Sequence, residues 1–178
     1  MASDQRVRPS PHLVSGYREL LKFDSVTRAL SDCMGRLGAM TANTRPLIDS
    51  IRFAGPAVTA RTLASDLAAV FKAIDVCEPG DVVMVDFHGS RDTAFWGENM
   101  TIPPRNRGLA GAVIDGACRD VVEVRRLRFL LCCAGIVPNV GAVAGSGQVN
   151  VPVQCAGQAV APGDIIVADQ SRALGKVE

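Results

Sequence analysis

Two short blocks hold the residues best able to do chemistry, Trp96-Gly97-Glu98-Asn99-Met100 and, further along, Asp115-Gly116-Ala117-Cys118-Arg119-Asp120. Gly97 lets backbone approach a ligand closely. The amides of Glu98, Asn99 and Met100 stand just before a segment that reads as helix, where N–H groups and the helix dipole favour a carboxylate or a developing oxyanion. Thr101 is placed as the cap of that helix, with Pro103-Pro104 in its first turn, where the missing donors are tolerated. Arg119 and Asp120 add a guanidinium and a carboxylate. One carboxylate on a metal, with water and substrate in the other positions, is the manner of Mg²⁺ or Mn²⁺ and not of structural zinc. The chemistry on offer is binding of an anionic substrate beside a divalent ion. The plainer alternative is that Asp120 caps the next helix, Arg119 sits in a surface ion pair, and Gly97 to Met100 is an ordinary turn beside a packed Trp96.

The elements between the blocks must bring them together. A polar helical segment is followed by the strand-like Ala112-Val113-Ile114, so the order is loop, helix, strand, loop. That order returns the chain to the sheet edge it left, and the loop beyond a strand's carboxyl end is where α/β sheets place ligands. Neighbouring strand residues point to opposite faces. Arg119 and Asp120 therefore converge only if the chain has left the strand, and Gly116 is expected to permit that.

Around this stretch the pattern mixes strands and helices. A helix is expected from Ser15. A second follows Asp24 as N-cap, with Val26, Ala29, Leu30, Cys33 and Leu37 on one face and Gly38 as its stop. Residues 51–62 read as one bent or bulged strand broken by Gly55-Pro56. Ser65 or Asp66 caps a helix running to Cys77, with Leu67, Val70, Phe71 and Ile74 as its buried stripe. Pro79-Gly80-Asp81 and Pro162-Gly163-Asp164 each open an apolar strand that ends in Asp, at Asp86 and Asp169, and both strands read as central. Leu130 to Ala134 is a further strand, and the glycines from Gly135 to Gly147 read as turn residues without a P-loop ending. There are too few long helices for a doubly wound sheet, so an α/β domain with more than one sheet layer is expected.

With 178 residues the chain fits one domain, residues 15–178, preceded by a loose polar arm over residues 1–14. Lys+Arg 19 against Asp+Glu 18 leaves a net charge of +1, which argues against a nucleic-acid binder. No run reaches transmembrane length and the N-terminus lacks a secretory core, so no membrane role and a cytoplasmic location are expected. The 6 cysteines include no zinc-knuckle or redox spacing, and most read as small core residues. Only His12 and His88 exist, which excludes a multi-histidine zinc centre within one chain; His88 is either a base or a satisfied loop residue.

The Trp-Gly-Glu-Asn-Met block, the Val-Ile-Asp-Gly-Ala-Cys-Arg-Asp block, Val149-Asn150-Val151-Pro152-Val153 and both Pro-Gly-Asp strands resemble the RraA-like family, from about Asp24 to Asp169. That family contains the regulator of ribonuclease activity A and the class II 4-hydroxy-4-methyl-2-oxoglutarate aldolases, which also decarboxylate oxaloacetate. The resemblance implies an α/β fold of the three-layer β/β/α swivelling-domain type, assembled as a homotrimer or hexamer with sites between subunits. It implies a pyruvate-releasing lyase in which the amides at Gly97, Glu98, Asn99 and Met100 bind a 2-oxo acid substrate. Arg119 contacts the keto and carboxylate oxygens, and Asp120 anchors a water-rich Mg²⁺ or Mn²⁺. Glu123 matches the acid that follows the Arg-Asp pair and is a supporting candidate. A second implied activity is a non-catalytic regulator that binds a ribonuclease or another protein partner. The pattern departs from the family at Gly141, where an acid is expected, and at Pro103-Pro104.

Overall fold

The computed structural model describes residues 8–63, 65–88, 90–170 and 173–177, without the side chains of 176 and 177. Ser10 opens the first helix, its hydroxyl accepting from the Leu13 amide at 3.3 Å, with Pro11 at the first helical position, where its lost donor is harmless. Helix α1 therefore spans Pro11–Leu20, and residues 11–14, expected in a loose arm, form its first turn. Just before it, Arg8 pairs with Glu78 at 2.8 Å and Asp81 at 2.9 Å. Residues 1–7 of the expected arm lie outside the described residues. Helix α2 spans Val26–Cys33 behind Ser25, which is left-handed with φ 54 and makes no side-chain cap bond. The expected cap, Asp24, pairs instead with Arg52. The Thr27 amide is satisfied from a distance by Asp169 Oδ2 at 3.0 Å. Leu37 falls beyond the helix and is exposed.

The strands are β1 Arg45–Pro46, β2 Phe53–Arg61, β3 Val82–Asp86, β4 Gly111–Cys118, β5 Leu131–Ile136, β6 Gln148–Val149, β7 Val153–Cys155, β8 Gln158–Val160, β9 Ile165–Ala168 and β10 Ala173–Val177. The remaining helices are α3 Ala68–Val76, α4 Glu98–Asn106 and α5 Val121–Leu127. The two Pro-Gly-Asp segments make the same turn. Gly80 and Gly163 take φ 85 and 91, and the following aspartates accept from the amide three residues back, Glu78 for Asp81 and Ala161 for Asp164. Each feeds a fully buried strand flanked on both sides, β3 between β2 and β4, and β9 between β2 and β10.

Gly55-Pro56 bends β2 without breaking it. Its first half, Phe53 to Pro56, pairs antiparallel with β9, and its second half, Ala57 to Arg61, pairs parallel with β3. A Cβ on Gly55 would lie 2.1 Å from the Gly80 carbonyl oxygen, so only glycine allows the crossing. One curled sheet results, in the order β1-β5-β4-β3-β2-β9-β10, with β6 also on β2 and a separate β7-β8 hairpin.

Three layers follow from the packing. Val70, Ile74, Met100 and Val124 of α3, α4 and α5 pack on one face of the parallel strands with Val58, Val83 and Ile114. On the other face Met84, Val113 and Cys132 meet Val153, Cys155 and Val160 of the hairpin and Ile166 and Ala168 of β9. Helices α1 and α2 cover β9 and the start of β2 through Val14 and Val26. The expected β/β/α fold is the observed one. Among the described residues no helix is long and apolar enough to cross a membrane. Cys33 is exposed and the other cysteines are buried.

Candidate functional site

Strand β4 runs on through Cys118, with a register shift between Ile114 and Ala117. The chain therefore leaves the strand after Cys118 and not at Gly116, whose place is set by packing: a Cβ there would lie 3.3 Å from the Phe87 ring and from the Ser90 carbonyl oxygen. The next two residues are Arg119 and Asp120. Asp120 takes φ 52 and ψ 40 as N-cap of α5, a left-handed conformation that aspartate tolerates better than most residues. That turn carries its carboxylate away from α5, where it makes no cap bond, and towards α4.

The other block is laid alongside. The Phe95 amide donates to Ala117 O at 2.8 Å, the Arg119 amide to Trp96 O at 2.9 Å, and the Ala94 amide to Asn139 O at 2.8 Å. Trp96 is buried, stacks on Phe129 with centroids 5.7 Å apart, and donates from Nε1 to Thr101 Oγ1 at 2.9 Å. The Thr101 hydroxyl in turn donates to Gly97 O at 2.8 Å. An aromatic anchor with its polar tip satisfied fixes the segment just ahead of Gly97.

Helix α4 starts at Glu98 with Gly97 as N-cap. The expectation that Thr101 would be the cap is corrected: Thr101 lies inside the helix, and Pro103 and Pro104 fall in its second turn. Their missing N–H groups forgo the bonds to the carbonyls four residues back, those of Asn99 and Met100, and the short helix tolerates this next to its own start.

The two blocks do meet. Asp120 Oδ2 accepts from the Glu98 amide at 3.1 Å and lies 3.4 Å from Arg119 Nε. Gly97, Asn99, Met100, Arg119 and Asp120 line one cavity of about 110 Å³, closed by Leu67, Phe71, Ala94, Trp96 and Val140. Glu98, expected among the site residues, does not line the cavity, and its amide is held by Asp120, which leaves the Asn99 and Met100 amides as the donors that α4 itself does not use. Glu123 sits in the first turn of α5 and does not line the cavity. Arg61, His88 and Arg91 lie elsewhere. Arg61 bonds Gln148 and Pro152, while His88, 62% exposed, approaches Asp86 on the hairpin side of the sheet. There burial raises the pKa of Asp115, partly offset by the Ala156 amide it accepts from.

A second, open cavity of about 460 Å³ meets the first at Arg119 and Asp120 and is otherwise lined by Val121, Ile136, Val137 and Pro138.

Among the described residues no three His, Cys, Asp or Glu side chains gather around a common point. Asp120 alone suits a water-rich divalent ion, because its carboxylate is 36% exposed and Oδ2 carries both protein contacts, leaving Oδ1 to a cation.

Leu67, Phe71 and Val140 are walls that sequence reasoning missed as site residues. Phe71, expected in the buried stripe of α3, is instead 40% exposed and lines the cavity. Val140 bridges Ala94, and the loop after it is held by Asp66, whose carboxylate accepts from the amides of Ala68, Ala144 and Ser146 and from the Ser146 hydroxyl. The Leu67 amide donates to Ala142 O in the same clamp. Gly141 has no room for a side chain, since a Cβ would lie 2.0 Å from the Ser65 carbonyl oxygen. An acid at this position is incompatible with this loop path.

Those hydrogen bonds hold the Asp66 carboxyl well below the usual carboxylate range. A depressed folded-state pKa contributes stability that is present above the ordinary value of about 4 and lost as pH falls towards the folded one. Asp66→Asn is therefore expected to melt at lower temperature near neutral pH and to show a shallower loss of stability below about pH 4. Thermal melts across pH check this; an unchanged acid limb would remove the clamp.

The RraA-like family pattern, described as Aldolase/RraA, matches residues 26–172. A Halalkalibacterium halodurans protein provisionally named 4-hydroxy-4-methyl-2-oxoglutarate aldolase is 35% identical over 143 residues, 80% of this chain and 68% of its own length. A 4-hydroxy-4-methyl-2-oxoglutarate aldolase of Thermus thermophilus is 37% identical over 123 residues, 69% of this chain and 74% of its own. Among solved structures, the RNA-processing inhibitor RraA from Thermus thermophilus superposes with a TM-score of 0.76 at 33% identity, covering 86% of this chain and 93% of that one.

Proposed function

This chain belongs to the RraA-like family, and on that premise we propose that it is a carbon–carbon lyase that releases pyruvate from 4-hydroxy-2-oxo acids such as 4-hydroxy-4-methyl-2-oxoglutarate and decarboxylates oxaloacetate. The observation that carries this is the convergence of Arg119, Asp120 and the start of α4 on one small cavity.

Both reactions break a bond to C3 and leave its electron pair on the pyruvate fragment as an enolate. The site must hold a carboxylate and a developing oxyanion side by side. The Asn99 and Met100 amides and the dipole of α4 suit one, and the Arg119 guanidinium suits the other. The Arg119 Nε lies 3.4 Å from Asp120 Oδ2. A divalent ion, Mg²⁺ or Mn²⁺, held by Asp120 would supply Lewis-acid stabilisation of the same charge. Leu67, Phe71 and Val140 limit the water around it, which strengthens each of these interactions. In the retro-aldol case the 4-hydroxyl passes its proton to solvent water as the C3–C4 bond breaks and C4 becomes a carbonyl carbon, and C3 of the enolate then takes a proton from water.

The test is pyruvate release from both substrates with added Mg²⁺ or Mn²⁺ and with EDTA. Release with metal and its loss in EDTA are expected. No release from either substrate by folded protein would overturn the lyase reading.

Phe71, Ile136 and Val140 flank the two cavities with 40%, 60% and 49% of their surface exposed. Apolar surface of this kind favours a macromolecular neighbour. We propose that it is another copy of the chain, in a homotrimer or hexamer whose sites lie between subunits, and that the assembly works in the cytoplasm. The same surface supports the second reading, a regulator of an RNA-processing enzyme. In that case mutation of Arg119 and Asp120 would leave partner binding unchanged.

A further inference from the structure

We propose that Cys118 and Cys133 are an oxidisable dithiol that a hydroperoxide closes to a disulfide, and that closure draws back the end of β4 and with it Arg119 and Asp120. The two sulfurs already touch, with Sγ to Sγ at 3.1 Å. Both side chains lie in the core cluster that α5 shares with the parallel strands, at 0% and 6% exposure. The contact is therefore internal to one subunit and does not depend on what covers the outer surface. Cys132, next in sequence to Cys133, faces the hairpin side of the sheet and stays out of the pair.

With hydrogen peroxide as the oxidant the reaction balances. One sulfur, as thiolate, attacks a peroxide oxygen, the O–O bond breaks, and a sulfenic acid and hydroxide form. The second thiolate then attacks that sulfur, the S–O bond breaks, and another hydroxide leaves. Each hydroxide takes up one thiol proton, so two thiols and one peroxide give a disulfide and two waters. The two electrons lost by sulfur are those that reduce the O–O bond.

Contact is not yet bonding geometry, because the sulfurs must approach by about 1 Å to reach a disulfide. Along the strands the two residues are staggered: Cys133 lies opposite Ile114, and Cys118 opposite Ile136. Such a pair closes only with backbone movement. Cys133 is held on both sides, by Ile114 of β4 and by Arg45 of β1. Cys118 is held less firmly, since β4 shares its last rung with β3 at Asp115 and is bulged between Ile114 and Ala117. The movement falls on the end of β4. Arg119 and Asp120 follow at once, so the bonds it loosens are those from the Arg119 amide to Trp96 O and from the Glu98 amide to Asp120 Oδ2. A disulfide closed against such resistance is easily reduced, which suits a reversible modification in a reducing compartment.

The experiment uses the full chain and no substrate. The protein is treated with hydrogen peroxide, its remaining thiols are capped with N-ethylmaleimide after denaturation, and intact mass and a non-reducing peptide map are recorded. The expected result is loss of two hydrogens, four of the 6 thiols left to cap, and a linked pair of peptides carrying Cys118 and Cys133, all reversed by dithiothreitol. Cys118→Ala and Cys133→Ala should each lose the link, whereas Cys33→Ala, which removes the exposed cysteine, should keep it. Hydrogen exchange at the Glu98 and Arg119 amides should be about tenfold or more faster in the oxidised protein and return to the reduced rate after dithiothreitol. Peroxide treatment that leaves Cys118 and Cys133 free to be capped, takes them only to sulfinic acids, or links other cysteines would overturn the dithiol. A complete link with unchanged exchange at Glu98 and Arg119 would overturn the displacement. Neither readout involves pyruvate, so this inference and the lyase reading stand or fall separately.

Discussion

Asp120→Asn should lower metal-dependent pyruvate release on the order of 10³-fold while the protein melts close to the wild-type temperature. The separation arises because the carboxylate has two tasks. Its Oδ2 accepts the Glu98 amide and so satisfies the start of α4, and its charge is what a divalent ion requires. Asparagine keeps an oxygen for the first task and lacks the charge for the second. Asp120→Ala loses both, and the missing cap should cost about 1 kcal/mol, which lowers the melting temperature by roughly 2–4 °C in a chain of this size. Steady-state pyruvate release, Mn²⁺ titration and thermal melts on the two variants make the comparison. Wild-type turnover by the asparagine variant would remove Asp120 from the chemistry and leave it only as a helix cap.

Gly97→Ala is expected to cut kcat/KM about 10²-fold, with a loss of stability no larger than that of Asp120→Ala. Gly97 has φ −159, extended backbone that alanine adopts freely, so no strain enters through the main chain. The added methyl carbon would instead lie 2.5 Å from Asp120 Oδ2 and 3.1 Å from Arg119 Cγ. Both side chains are about a third exposed and can swing outward. Folding therefore absorbs the change, while the placement of cation and carboxylate at the cavity does not. Full activity in this variant would show that the positions of Arg119 and Asp120 need not be tight.

The parts of this site that could be read from the sequence are those whose partners lie on the same short stretch or repeat a local rule. Arg119 and Asp120 beyond a strand, and amides ahead of a helix, are local features, and the structure brings them within hydrogen-bonding distance. The twin turns at Gly80 and Gly163 were legible for the same reason, as was the bend at Gly55-Pro56. The start of α4 is not legible in this way, because the preference of proline for the first turn points to a later start. Here Thr101, bound to Trp96 and Gly97, fixes the helix one turn earlier and tertiary contacts override that preference. Leu67, Phe71 and Val140 gave no local sign of sharing a wall, since the contact depends on Asp66 gripping the amides of Ala144 and Ser146 from far away in sequence. Asp24 failed as a cap for a like reason: Arg52 takes its carboxylate, and Asp169 serves the amide of Thr27 in its place.

The bent strand β2 also sets the order in which the protein can be finished as it emerges from the ribosome. Its second half finds β3 soon after both are made, whereas its first half waits for β9, which ends at Ala168. At the usual pace of synthesis that interval is on the order of ten seconds. Throughout it, Phe53 and Ala54 present an unpaired, apolar strand edge of the kind that invites pairing with another chain. The closing partner of the sheet is thus also the last of its neighbours to be translated, and a nascent chain stalled before Ile165 would be the form most prone to aggregate.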